Sequence, residues 1–250
     1  SFTFVSTANA FVLRGAIPVF VDIKPETLNL DENRLGEALT ERTRVVVPVH
    51  YAGYSCNMSA IMDFAKKHNV LVVEDAAQGF GAMHDGRHQG TVGHLGCLSF
   101  HETKNVISGE GGALLINRSA LVERAEVIWE KGTDRSKYFR GEVDKYTWVD
   151  VGSSFLPSEI VAAFLYAQLE NSRENNLKRK NLWRNYYDSL RILEDKGFAK
   201  LAKPSVEGNG HMFYLLVQTV QVRDNLLKWL KSRGIHAVFH YVPLHLSPAG

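Results

Sequence analysis

Hydrophobic positions follow two different periods along the first half of the chain. Continuous apolar runs, typical of strands buried in a parallel sheet, alternate with segments in which apolar residues recur every three or four positions. The runs predict strands at residues 18–22, 44–50, 70–75, 97–100 and 113–116. The helical spacing predicts helices at residues 5–15, 35–42, 57–69 and 117–131. This alternation predicts an α/β fold with a mostly parallel sheet and helices on both of its faces.

The pattern changes after residue 131. Residues 132–157 are irregular, polar and aromatic, which predicts a long loop that contacts a partner or covers a substrate. Residues 158–190 predict one long helix or two joined helices. A strand, a helix and a strand are then predicted at residues 211–217, 223–233 and 235–241. We therefore expect a large domain over residues 1–160, and a linking helix with a smaller C-terminal α+β domain over residues 161–250.

Composition narrows the class of protein. The 250 residues carry a formal net charge of +2, which gives no electrostatic reason to expect nucleic acid or a membrane as a partner. No apolar run reaches the roughly 18 residues that span a bilayer, and Cys56 and Cys97 are too far apart in sequence for a CxxC motif. We expect a cytoplasmic protein. Because Ser1 opens directly onto an apolar strand pattern, we also expect the chain to be an interior portion of a longer protein.

Two residues suggest chemistry at one edge of the predicted sheet. Asp75 ends a continuous apolar run, at the carboxyl end where open α/β sheets bind their ligands. Lys104 lies in a polar turn between two predicted strands, and a partly desolvated lysine can form a Schiff base. With Ser99 they supply the amine, carboxylate and phosphate donor that pyridoxal phosphate (PLP) requires. The alternatives are a solvated Lys104 and an Asp75 that only caps a helix.

Other kinds of site are weakly supported. His84 and His88 have H-x3-H spacing with His94 nearby, but the segment is a glycine-rich loop rather than a helix, so we expect no metal site. No GxGxxG follows a predicted strand, which removes the usual dinucleotide fingerprint. A Ser-His-Asp hydrolase lacks its G-x-S-x-G elbow.

Several motifs carry a family resemblance that covers nearly the whole chain. The chain resembles the DegT/DnrJ/EryC1/StrS sugar aminotransferases in its segments 1–7, 74–78, 99–105, 109–112 and 240–245. The resemblance implies a fold-type-I PLP-dependent transferase. It also implies that PLP is the cofactor and that the protein forms a homodimer.

The resemblance assigns roles to the cofactor-binding residues. Lys104 would be the Schiff-base lysine and Asp75 the carboxylate facing the pyridine nitrogen. Phe4 would stack on the cofactor ring, and Gln78 would lie near its phenolic oxygen. Ser99 would bind the phosphate.

The resemblance also points to substrate-binding residues and to two departures from the family pattern. Tyr241 and His245 match a motif that lines the substrate pocket, although a proline-bent strand edge is the alternative. His101 also occupies a position of the family motif. A role in packing alone is an equally good interpretation of this residue. Ser154 stands where many members carry an asparagine that reaches the phosphate of the neighbouring subunit's cofactor. Leu156 stands where many carry an arginine.

The implied reaction is transfer of an amino group from glutamate to C4 of a nucleotide-linked 4-keto-6-deoxy sugar. Segments 131–133 and 144–148 favour the branch that uses TDP-4-keto-6-deoxy-D-glucose for a surface polysaccharide, such as lipopolysaccharide or enterobacterial common antigen. One alternative is the sugar dehydratase branch, which carries histidine where this chain has Lys104. The other is a non-catalytic PLP-fold segment, because the family normally has a phosphate-binding Gly-Thr turn upstream of the segment matched at residues 1–7, and that upstream turn is absent from this chain.

Overall fold

The computed structural model describes residues 2–250, so Ser1, the first residue of one family motif, lies outside the described residues. Eight α-helices form within this range: α1 Val5–Val12, α2 Leu35–Ala38, α3 Met58–His68, α4 Val122–Trp129, α5 Arg135–Phe139, α6 Glu159–Glu170, α7 Ser172–Asp195 and α8 Val220–Lys231. The strands are β1 Val45–Val46, β2 Leu71–Asp75, β3 Met83–His84, β4 Arg87–His88, β5 Leu95–Ser99, β6 Gly112–Ile116, β7 Ala199–Leu201 and β8 Leu215–Val217.

The main sheet has the strand order β1-β2-β5-β6. Strands β1, β2 and β5 run parallel, and β6 returns antiparallel to β5. The sheet is therefore mainly parallel, as the apolar runs predict. Two small antiparallel sheets, β3-β4 and β7-β8, lie outside it.

Helix α3 shows how local sequence positions the sheet. Asn57 caps its first turn by accepting a hydrogen bond from the N–H of Ala60, and Asn69 ends it in the left-handed conformation. Its apolar face packs on β1 and β2 in a core made of Leu35, Val46, Cys56, Met58, Ile61, Ala65, Val70 and Val72. Burying each of the larger aliphatic side chains contributes about 1.5–3 kcal/mol. This core fixes the strand that ends at Asp75.

Two of the predicted strands in the first half differ from the structure. Residues 18–22 form no strand, because no neighbouring strand within residues 2–250 pairs with them. The strand predicted at 44–50 is reduced to β1 and an isolated bridge between Val49 and Asp75. Pro48 lies between them and has no N–H to donate to the ladder.

In the C-terminal part, the structure differs more strongly from the predicted elements. Residues 158–190 form two joined helices, α6 and α7, which extend to Asp195. Strand β7 was not predicted, and the strand predicted at 211–217 is limited to β8, its partner. The strand predicted at 235–241 is wrong, since this segment makes side-chain contacts without joining a ladder. The domain boundary near residue 160 stays a prediction.

The segment at 132–157 is irregular, with a short helix inside it. After helix α5 the chain turns back and runs antiparallel to the residues before the helix. Isolated bridges there join Thr133 to Trp148 and Glu130 to Ser154. Trp148 is 78% exposed. Across residues 2–250, no helix combines the length and apolar character needed to cross a membrane.

Candidate active site

The candidate site lies at the carboxyl edge of the main sheet. Strands β2 and β5 are parallel and paired with Asp75 opposite Cys97, so Asp75 and Ser99 end neighbouring strands at the same edge. The backbone of Asp75 is held on its other side by a hydrogen bond from its N–H to the carbonyl of Pro48, at 2.9 Å. Lys104 follows five residues after Ser99, in the turn beyond β5.

The Asp75 carboxylate accepts one hydrogen bond on each oxygen. The N–H of Ala77 donates to Oδ1 at 3.0 Å, and the hydroxyl of Thr7 donates to Oδ2 at 2.6 Å. The first bond closes a tight turn, and no α-helix begins directly after Asp75. An ionised carboxylate has about four acceptor positions, so room remains for a cationic donor.

Lys104 is partly buried and lies within electrostatic range of Asp75. Burial lowers the pKa of the Lys104 amine below its ordinary value, and the Asp75 carboxylate partly opposes this change. The turn that presents Lys104 is closed by its backbone N–H, which donates to the carbonyl of His101 at 2.9 Å. A lysine in this environment gives up its proton more readily than a solvated one.

Gln78 connects Tyr241 to the site. Its Oε1 accepts from the N–H of Ala52 at 2.6 Å, and its Nε2 donates to the Tyr241 hydroxyl at 3.2 Å. Burial and the nearby Asp75 carboxylate raise the pKa of Tyr241 to about 12, although the bond from Gln78 lowers it. Tyr241 is therefore a neutral hydroxyl at the same edge of the sheet. The structure brings together Asp75, Lys104, Gln78 and Tyr241.

A buried amide network beside Lys104 was missed by the sequence reasoning. Asn105 Nδ2 donates to Oδ1 of Asn176 at 2.8 Å and to the carbonyl of Asn209 at 3.2 Å, so its Oδ1 is free to accept from Nδ1 of His211 at 2.9 Å. Burial and the positive charge of Lys104 lower the pKa of His211 to about 3. The only local signal was the position of Asn105 directly after Lys104.

Three further predicted residues lie near this edge without joining the hydrogen-bonded group. Ser99 Oγ accepts from the N–H of His101 at 3.3 Å, which leaves its own proton for another acceptor. The His101 ring is turned toward Thr103 and Glu110. Phe4 precedes α1 and is 57% exposed, so its ring is accessible for stacking.

Among residues 2–250, Ser154 and His245 make no hydrogen bond to this group. Ser154 is exposed and forms a bridge with Glu130. His245 is also exposed, with its ring 6.2 Å from the ring of Phe20. Within residues 2–250, no group of three His, Cys, Asp or Glu side chains is arranged to hold a metal ion.

Comparison with known proteins identifies a family that matches this chain and relatives with similar sequences. The DegT/DnrJ/EryC1/StrS aminotransferase family matches residues 1–249. GDP-perosamine synthase of Caulobacter vibrioides is 33% identical over 256 residues, which cover 99% of this chain and 66% of that protein. The chain spans just under two thirds of the length of curated relatives that it matches.

Solved structures superpose over nearly the whole chain. PseC of Helicobacter pylori, an aminotransferase involved in the biosynthesis of pseudoaminic acid, has a TM-score of 0.89 at 27% identity and covers 99% of this chain and 65% of its own. NtdA of Bacillus subtilis, crystallised with the cofactor PMP, has a TM-score of 0.88 at 27% identity and covers 98% of this chain and 55% of its own. The predicted α/β architecture of fold type I is confirmed.

Proposed function

Because the chain belongs to the DegT/DnrJ/EryC1/StrS aminotransferase family, we propose that the whole protein is a PLP-dependent aminotransferase acting on a nucleotide-linked sugar. The observation that carries the proposal is the juxtaposition of Lys104, whose amine has a lowered pKa, with the Asp75 carboxylate at the carboxyl edge of the sheet. A lysine that served only as a surface charge would be expected to be exposed to solvent, whereas Lys104 is partly buried.

The residues present fit PLP. Asp75 keeps acceptor positions free beyond those used by Thr7 and Ala77, as a partner of a protonated ring nitrogen requires. Ser99 retains a hydroxyl proton for a phosphate oxygen, and the exposed ring of Phe4 is available for stacking. NtdA, which was crystallised with PMP, supports this cofactor.

Each side chain then has a task. When bound, PLP supplies an electron sink for the charge that develops at the carbon losing its proton. Lys104 would hold the cofactor through Nζ and, as general base, would move a proton at Nζ that it takes from Cα of the amino donor. Asp75 would place a negative charge beside the ring nitrogen and would so favour its protonated form. The hydrogen bond from Gln78 to Tyr241 holds both of these side chains in a fixed orientation at the site.

The proposed substrates are glutamate, which becomes 2-oxoglutarate, and a nucleotide-linked 4-keto-6-deoxy sugar. An enzyme acting on two dicarboxylates would present a fixed arginine fork, yet Leu156 occupies the family position that often holds arginine. Tyr241 offers a neutral hydroxyl suited to a sugar. The names of GDP-perosamine synthase and of PseC, from pseudoaminic acid biosynthesis, support an amino-sugar product.

The finer proposal is that TDP-4-keto-6-deoxy-D-glucose is the sugar, aminated at C4 for a surface polysaccharide. Segments 131–133 and 144–148, which favour this branch, lie side by side. Thr133 forms a bridge with Trp148, and the N–H of Thr147 donates to Asp134 Oδ1 at 2.6 Å. Because the two segments form one unit, they are able to act together on a single ligand.

We also propose a cytoplasmic homodimer with its sites at the interface. Ser154 and the aromatic residues before it are exposed rather than packed on the chain's own core. This exposure supports a position facing the partner subunit's cofactor, as the family resemblance implies.

The test offers the whole protein PLP, glutamate and a panel of 4-keto-6-deoxy sugars linked to TDP, GDP or UDP. We expect visible absorbance from bound PLP and an amino sugar, detected by mass spectrometry, fastest with the TDP sugar. Faster amination of oxaloacetate or pyruvate would contradict the substrate proposal. A dehydrated sugar would favour the dehydratase, and no bound PLP would favour a non-catalytic protein.

A further inference from the structure

The Asp75 carboxylate is reached by a chain of two threonine hydroxyls that the sequence reasoning did not assign. Thr3 Oγ1 lies 2.9 Å from Thr7 Oγ1, which lies 2.6 Å from Asp75 Oδ2. Thr3 is buried, with 8% of its surface exposed. Thr7 belongs to α1, and 68 positions separate it from Asp75.

The direction of both hydrogen bonds follows from the chemistry of the groups. A carboxylate only accepts hydrogen bonds, so the single hydroxyl proton of Thr7 is donated to Asp75. Thr7 then has no proton left for Thr3, so Thr3 donates to Thr7. The three residues form an ordered chain, in which each bond polarises the next.

This arrangement is not what a helical threonine does by default. A threonine hydroxyl in a helix usually bonds to a carbonyl three or four residues earlier. Thr7 instead donates its proton to a carboxylate on β2, while the N–H of Ala77 already satisfies the other oxygen. The plane of the Asp75 carboxylate is therefore fixed from two sides.

We propose that Thr7, supported by Thr3, is a positioning residue that holds the Asp75 carboxylate in the orientation needed to pair with the ring nitrogen of PLP. The inference rests on the proposed function. It assigns to Thr7 an effect on the ring nitrogen alone, whereas a merely structural link between α1 and β2 would affect every ligand equally.

The test measures the affinity of the whole apo protein for PLP by fluorescence titration. Thr7→Val removes the hydroxyl and keeps the shape, and Thr7→Ser keeps the hydroxyl. Since a hydrogen bond to a charged group is lost, Thr7→Val should weaken PLP binding about tenfold. Thr7→Ser should bind as the wild type does.

A second ligand isolates the ring nitrogen. In 1-deazapyridoxal phosphate a C–H group replaces this nitrogen, so Asp75 has no charged partner. Thr7→Val and the wild type should bind it equally. An equal loss for both ligands would overturn the proposal, as would unchanged PLP affinity in Thr7→Val or an equal loss in Thr7→Ser.

A second variant, Thr3→Val, covers the case in which Thr7→Val folds poorly, and a double-mutant cycle joins the two variants where both fold. Thr3→Val should weaken PLP binding about twofold, because it removes only the polarising bond, and should add nothing in the Thr7→Val background. No effect of Thr3→Val in the wild type, or an equal effect in both backgrounds, would overturn the chain. The wild type is the control for the proposed function, which would itself be overturned if the wild type failed to bind PLP.

Discussion

The Glu74 carboxylate and the His50 imidazole form a fully buried pair, with 2.8 Å between Oε2 and Nε2. The N–H of Cys56 donates to His50 Nδ1 at 3.1 Å, so the ring proton lies on Nε2 and points to Glu74. The carboxylate also accepts three backbone hydrogen bonds, from the N–H groups of Gly90, Val92 and Gly93. Burial alone would raise the pKa of Glu74, but these donors outweigh it and lower the pKa.

This pair supports the strand end that carries Asp75. Successive side chains of a strand point to opposite faces of the sheet, so Glu74 lies in the core while Asp75 faces the site. Gly96 permits the arrangement, because a Cβ there would lie too close to the backbone of Gly90. The family motif at 74–78 thus contains one carboxylate for structure and one for the proposed chemistry.

Glu74→Gln should destabilise the protein. The NH2 group of the glutamine would face a backbone N–H group that now donates to the carboxylate, so two donors would oppose each other. We expect the free energy of unfolding to fall by about 3 kcal/mol, because the buried carboxylate that accepts from His50 and three backbone N–H groups is lost and some of these donors are left unsatisfied. Urea unfolding of the apo protein measures the change. The control is Glu37→Gln, whose surface bond to Arg34 should contribute less than about 1 kcal/mol. Equal stabilities of the two variants would contradict this account.

His211 should make the free energy of unfolding depend on pH. Its pKa is about 3 in the folded protein against an ordinary 6.5, so the unfolded chain binds the extra proton between these values. Stability is complete above pH 6.5 and is lost as pH falls toward 3, by about 2 kcal/mol at pH 5.

Urea midpoints of the apo protein between pH 8 and pH 5 test this dependence. His211→Gln can still donate to Asn105 and should lose less stability over that range than the wild type. His236→Gln, which removes an exposed histidine, should keep the wild-type dependence. The same pH dependence in His211→Gln and the wild type would show that His211 does not carry it.

Asp75→Asn should leave the fold intact, because the two side chains are nearly the same size. The Asn oxygen can still accept from the N–H of Ala77, and its NH2 group can donate to the Thr7 hydroxyl, which then donates to Thr3 instead. Turnover should nevertheless fall by about a hundredfold or more, as expected when a group that stabilises developing charge is removed. Steady-state kinetics with glutamate and the sugar nucleotide give the comparison. If most of the activity survived, Asp75 would serve only to close the turn after β2.

Mixing two inactive variants tests the proposed dimer. Ser154→Trp should block the neighbouring subunit's site by its bulk, and Lys104→Ala should inactivate its own site. In a heterodimer of the two, one site keeps both native residues, so activity should return to roughly a quarter to a half of the wild-type level, depending on how freely the subunits exchange. Light scattering that showed a fully active monomer would refute the interface.

Local signals predicted part of this structure. The apolar run at 70–75 and the helical spacing at 57–69 depend on neighbouring residues, and both elements formed as predicted. The bond from Thr7 to Asp75 joins positions 68 apart, and that from His211 to Asn105 joins positions 106 apart. No local pattern encodes such pairs. The predicted strand at 235–241 failed because extended sequence makes a strand only where another strand is available to pair.

The central claim is that Lys104 holds the cofactor, and one measurement tests it directly. The whole protein is incubated with PLP, reduced with borohydride so that any lysine linked to the cofactor is labelled permanently, and digested for peptide mass spectrometry. We expect a single label on Lys104, which is lost in Lys104→Ala but kept in the control Lys180→Ala. A label on another lysine, or no label while PLP is bound, would contradict it.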